Sequence, residues 1–221
     1  MGIPEVLRDY APLAEDLLQQ SGLPYRFSFY PAQRSFNALV SGEVDAEFSR
    51  TQSAFASDQS EFVMIGPIGC AEISAYRMTG SAASLGQVGD LANYRVAVLN
   101  GSIAVIKFLR KRHASLTLAV NGEALYRMLE AHHVDLVVDA PLQSIGAVKA
   151  LHMQDRVEVT GPPVLTEPAF LILNSRFAAW RPKLQATLDG LKKSGQWQQH
   201  FGDINEKRGL PRNTAMSCLE H

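Results

Sequence analysis

Apolar residues recur along this chain with two periods that take turns. Val6, Leu7, Tyr10, Leu13, Leu17 and Leu18 fall at helical spacing and predict a helix over 4–20, with Gly22 as its C-cap. Tyr25 to Tyr30 alternates as a strand does. Pro31 then opens a helix that stops at Gly42, and the short apolar strand Val44 to Phe48 follows. Phe62 to Ile65 is a further strand, and Ile73 to Met78 reads as an extended segment leaving this first unit.

From Gly80 to Asn93 the pattern turns small and polar, which predicts a linker or surface excursion. A second series then begins. Tyr94 to Leu99 is a strand of buried type, Asn100-Gly101-Ser102 a turn, Ile103 to Arg112 a helix, and Leu116 to Val120 a strand. Asn121 caps the next helix, with Glu123 in its first turn where a negative charge suits the helix dipole. That helix runs to His132 or His133. Strand Val134 to Val138 and a helix from Pro141 to Leu151 follow. After strand Ala169 to Asn174, a helix over Ala178 to Ser194 places Trp180, Leu184, Leu188 and Leu191 on one face, and a short segment from Trp197 closes the chain.

Strands alternating with helices predict a mostly parallel sheet covered by helices. One passage also occurs twice. Superimposing Asp45 of "LVSGEVDAEFSR" on Asp135 of "LEAHHVDLVVDA" pairs Leu39 with Leu129, Val44 with Val134 and Phe48 with Val138; upstream, Phe36 meets Tyr126. The shared part predicts two helix-to-strand entries in two α/β units. The ends differ: Ser49-Arg50 in one, Asp139-Ala140 in the other. Strand ends of this kind are where open α/β sheets hold ligands.

The 221 residues are 46% hydrophobic and 19% charged, with a net charge of −1, the profile of a globular protein with no electrostatic reason to bind nucleic acid. The basic run Lys107, Arg110, Lys111, Arg112 lies at a helix end and complements its dipole. No apolar stretch approaches the roughly 18–20 residues of a membrane span. Cys70 and Cys218 make no disulfide framework; a single bridge is one option, and buried or incidental thiols are the expectation. No GxSxG, HExxH, Walker or GxGxxG pattern is present. His132 and His133, adjacent on a helix, point about 100° apart, a poor chelating geometry. No metal and no cofactor are expected.

Three stretches in order, "FNALVSGEVDAEFS", "SLGQVGDLANYRVAVLNGSIA" and "EALYRMLEAHHVDLVVDAP", resemble the type 2 periplasmic solute-binding proteins, in particular the branch serving polar amino acid ABC transporters and related sensors. The match spans most of residues 4–200. It implies an α/β protein of two lobes, each a mostly parallel sheet flanked by helices, joined by two hinge crossings near Ala75–Met78 and Leu165–Ala169. Lobe 1 would be 1–75 and 167–218, lobe 2 would be 76–166, and 219–221 resembles the start of an expression tag. The resemblance further implies a non-catalytic, monomeric, periplasmic protein, its signal peptide absent from this chain. It would close on a small polar solute, anionic or zwitterionic, in a cleft between its lobes for delivery to a membrane transporter permease. A sensing module for a signalling receptor is the alternative, and a dehydratase of small cyclic acids on the same scaffold a more distant one.

Two features depart from the family's pattern. Members begin with a strand ahead of the first helix, and this chain starts at or after that point. Amino-acid binders also place an arginine a few residues beyond the first-lobe strand, and "SRTQSAFASDQ" has none there, which weighs against an α-amino acid ligand.

The candidate ligand contacts follow from strand ends and resemblance together. Asn100, Gly101 and Ser102 would offer amide N–H groups to a carboxylate or phosphate oxygen, or form a plain helix-start turn. Asp139 would take a ligand ammonium, as that position does in the family, or cap the next helix. Arg34 would grip a carboxylate or form a surface salt bridge. Ser49 and Arg50 would border the cleft, Tyr30 would stack on a ligand or join the core, and Tyr76 is a further cleft candidate. Glu47 is expected to face solvent or a seam between lobes.

Overall fold

The computed structural model describes residues 1–55 and 61–219. The chain divides into two compact units, Met1–Cys70 with Glu167–His221, and Ala71–Thr166.

Unit 1 opens with strand β1 (Gly2–Pro4), the element missing from the sequence reading. A 3-10 turn over Glu5–Tyr10 leads to helix α1 (Ala11–Gln20). The single helix expected over 4–20 is thus divided. Pro12 in the first turn is the reason: it has no N–H to give to a preceding turn, and it starts a helix well. Strand β2 (Ser28–Tyr30), helix α2 (Ala32–Val40) and strand β3 (Ala46–Thr51) follow. β1 lies between β2 and β3, parallel to both. Gly2 permits that position, since a Cβ there would meet Ser35 Oγ at 3.2 Å. Ala38 and Leu39 of α2 pack with Val44, Phe55 and Ile172 into one cluster.

Strand β4 (Phe62–Met78) is continuous and carries the chain from unit 1 into unit 2. The short strand read at Phe62–Ile65 and the extended segment read at Ile73–Met78 are its two ends. Within unit 2 come β5 (Arg95–Leu99), α3 (Ile103–Arg110), β6 (Ser115–Ala119), α4 (Gly122–Glu130), β7 (Leu136–Asp139) and α5 (Pro141–Ala150). β5 runs parallel to β6 and to β7, and β4 pairs with β7 antiparallel. Val96, Ala97, Val98, Leu136, Val137 and Val138 are fully buried, as expected of parallel strands covered on both faces. Asn121 caps α4 by accepting from the Ala124 amide at 2.8 Å.

The polar stretch expected as a linker or surface excursion is the latter, lying on unit 2 with most of its small and polar residues exposed. Leu85 and Leu91 enter the core of that unit, and Arg77 holds the Ser81 and Ala83 carbonyls. Gly161 (φ +74°) lies so close to this segment that a Cβ would stand 2.2 Å from the Leu85 carbonyl oxygen.

Strand β8 (Val157–Asn174) returns the chain to unit 1, where it pairs antiparallel with β3. A 3-10 turn over Ser175–Trp180 precedes helix α6 (Arg181–Lys193), whose start is again set by a proline, Pro182. Helix α7 (Gln196–Arg208) buries Trp197, whose indole N–H donates to the Ile68 carbonyl at 3.0 Å. Asn205, fully buried, accepts from the Tyr10 hydroxyl at 2.6 Å and donates to the carbonyls of Arg212 and Thr214. That fixes the terminal segment against unit 1. The segment then meets β4: the Cys70 amide donates to the Ala215 carbonyl, and Cys70 and Cys218 form a disulfide. The expectation of two thiols is corrected. Of the expected tag remnant, Leu219 is buried in unit 1, and Glu220 and His221 lie outside the described residues.

Candidate functional site

The two echoed aspartates serve the scaffold. Asp135 receives the Arg95 guanidinium at 2.6 Å and the Arg95 amide at 2.9 Å, tying the entry of β7 to that of β5. Arg95 holds this carboxyl below the usual range. Asp45 is paired with Arg176 in unit 1.

At the end of β3 the echo departs from its partner. Ser49 has a left-handed backbone (φ 67°), and the β3–β8 register shifts by one residue between Glu47 and Arg50. In a regular strand, residues three apart face opposite sides. The extra residue of the bulge returns Arg50 to the face of Glu47. Arg50 Nη2 then donates to Glu47 Oε1 at 2.5 Å and to the Ala32 carbonyl at 3.1 Å, while Nε donates to Glu47 Oε2 at 3.0 Å. Glu47 is 0% exposed and Arg50 8%, so the expectation that Glu47 faces solvent or a seam is corrected to a buried ion pair. Arg34 makes the surface pair: Nη2 donates to both Glu43 oxygens at 2.8 and 2.9 Å, and the Tyr30 hydroxyl donates to the same carboxylate at 3.1 Å. Arg34 and Glu43 are thus an exposed pair, while the half-buried Tyr30 packs its ring against the Ala38–Leu39 cluster, the core placement that was one of its two expected roles.

In unit 2 the Asn100-Gly101-Ser102 turn joins β5 to α3, with Gly101 at φ 99°. Two of its amides are already engaged: Asn100 donates to the Ala119 carbonyl at 2.8 Å and Ser102 to the Leu99 carbonyl at 3.0 Å.

Asp139 ends β7 beside Ser74 of β4 and is 4% exposed. Oδ1 accepts from the Ala140 amide at 2.9 Å and Oδ2 from the Ser144 hydroxyl at 3.0 Å, which seats the first turn of α5 on the strand end. Among the described residues no arginine, lysine or histidine figures among the influences on its titration. Burial therefore dominates and pushes its pKa up to about 7, against the smaller lowering by the Ala140 and Ser144 hydrogen bonds. Two tyrosines face the same cluster, their ring centroids 6.2 Å apart and edge to face. Tyr76 is pushed up to about 12, first by burial and then by the Asp139 charge. Tyr126 is driven well above the ordinary tyrosine value for the same reasons. The Tyr126 hydroxyl is buried close to Asp139 and Ser144 but makes no hydrogen bond of ordinary geometry among the described residues.

Sequence reasoning named Asp139 and Tyr76 but missed Ser144 and Tyr126. Tyr126 was visible only as the echo partner of Phe36, and Ser144 had only its place one turn into α5 as a signal. A separate cleft of about 290 Å³ in unit 1, lined by Asp16, Gln20, Gln196, His200 and Asp203 among others, includes none of the expected site residues.

No protein-family model matches the chain, and no curated protein matches it in sequence. Solved structures do match its fold. A histidine kinase sensor domain described as similar to periplasmic binding proteins aligns with a TM-score of 0.79 at 17% identity, over 93% of each chain. The ligand-binding core of GluR0 from Nostoc punctiforme, in complex with L-glutamate, aligns at 0.74 and 20% identity, over 95% of this chain and 98% of that one. An arginine periplasmic binding protein of a third transport system from Legionella pneumophila aligns at 0.73 and 15% identity, over 89% and 88%. The chain has the periplasmic-binding-protein-like type II α/β fold.

Proposed function

We propose that this protein is a non-catalytic binder of a small polar solute carrying a cationic group. The observation that carries the reading is Asp139: a buried carboxylate with no cationic partner among the described residues, at the end of a parallel strand, in a fold whose solved examples include binders of glutamate and arginine. A purely anionic solute is less well served, because Arg34 and Arg50 are both paired with carboxylates of the chain itself. A zwitterion or an amine fits better. The Cys70–Cys218 disulfide supports an oxidising, extracytoplasmic location, where such bonds persist. In that setting the partner is a membrane transporter permease that receives the solute. A signalling receptor is the second reading, favoured by the resemblance to the kinase sensor domain.

Thermal shift and calorimetry against amino acids, polyamines and organic acids test the proposal. Amine-bearing solutes should bind, Asp139→Ala should abolish their binding, and no solute should be consumed. A broad panel without a binder would refute the reading.

A further inference from the structure

The two buried carboxylates among the described residues are treated differently by the chain. Glu47 in unit 1 brings its own counter-charge, since the β3 bulge delivers Arg50 to it. Asp139, at the equivalent end of the echoed passage in unit 2, has none among the described residues. Tyr76 faces it from β4, Tyr126 from α4 and the uncharged Ser144 from α5. On its other side β7 pairs with β5, whose only charged residue, Arg95, is paired with Asp135 at the far end of the strand. An isolated carboxylate buried in such surroundings is costly unless it takes up a proton or meets a cation. The Tyr126 hydroxyl, near enough for the Asp139 charge to raise its titration and buried without a hydrogen bond of ordinary geometry among the described residues, offers an oxygen that can accept a hydrogen bond from such an acid.

We infer that solute binding at Asp139 is an exchange of a proton for a cation, in which the neutral carboxylic acid of the unliganded protein gives up its proton as an ammonium or guanidinium group docks beside it. The O–H bond of the Asp139 acid breaks, the proton passes to solvent, and the carboxylate left behind forms the ion pair with the solute. One proton leaves for each cation bound, and the net charge of the site does not change. The raised titration of Asp139 near neutrality places the exchange within the physiological range. This inference rests on the capture of a cationic solute proposed above.

Calorimetry with L-arginine, L-glutamine and putrescine, each in two buffers of different ionisation enthalpy, tests it. At about pH 6 close to one proton should be released per bound solute, falling to about a tenth at about pH 8, and affinity should rise about tenfold between about pH 5 and pH 6. Asp139→Asn should abolish both the release and the pH dependence of whatever binding remains. Binding without proton release, or release that persists in Asp139→Asn, would overturn the exchange and leave the capture reading standing. Failure of all three solutes to bind at any pH would overturn both.

Discussion

Replacing Asp139 by asparagine should stabilise unit 2 at neutral and alkaline pH. In the folded protein the Asp139 pKa stands at about 7 against an ordinary 3.8, so the folded state holds the proton more tightly than the unfolded chain does. Its favourable contribution is complete below about pH 3.8 and is lost as pH rises through about 7, where the carboxylate is charged in both states and buried in only one. The gap is roughly three pH units, and at about 1.4 kcal/mol per unit the charged form costs on the order of 4 kcal/mol. Asparagine reproduces the neutral acid: its carbonyl oxygen can accept from the Ala140 amide, and its amide can donate to Ser144 Oγ. The variant should therefore exceed the parent by about 2–4 kcal/mol at about pH 8, with the difference vanishing near pH 4. Hydrogen exchange of the Val96–Val98 amides, which lie in the buried β5 strand of the same unit, reads this stability locally. A variant destabilised by the same amount at low and high pH would refute the reasoning, because Asp139 would then act as a charged cap for α5.

Three further outcomes follow from the packing. Arg50→Met should destabilise unit 1 by about 3–5 kcal/mol in urea unfolding, because it leaves the Glu47 carboxylate buried without a partner, while Arg34→Met in the exposed pair should leave stability essentially unchanged. Reducing the Cys70–Cys218 bridge, which closes a loop with a sequence separation of 148, should cost up to about 5 kcal/mol, read by denaturant unfolding with and without reductant. Gly161→Ala should lower the melting temperature and loosen the 80–93 segment, seen as faster hydrogen exchange there, since its Cβ would press on the Leu85 carbonyl at 2.2 Å.

Much of the architecture was legible because it is written in short-range patterns. Apolar periodicity located the helices and the buried strands of unit 2, Asn121 announced its own cap, and the echo around Asp45 and Asp135 disclosed two similar strand entries. Prolines carried more than the reading took from them: Pro12 and Pro182 each divide a 3-10 turn from the α-helix that follows. β1 escaped notice because three residues carry too little pattern, and its standing as a strand comes from the neighbours on both sides.

By itself the sequence determined the alternation of strands and helices and put Asp139 at a strand end, since both depend on residues within a few positions of each other. Only the tertiary structure decided what the charged residues do. A one-residue bulge, opposed by β8 from far along the chain, turns Arg50 toward Glu47. Burial by β4, α4 and α5 leaves Asp139 without a counter-charge among the described residues, near tyrosines from two of those elements. Cys70 and Cys218 meet because the terminal segment lies along β4. Charge pairing, burial and disulfide bonding are properties of what surrounds a side chain, and those surroundings are assembled from residues that the linear order keeps apart.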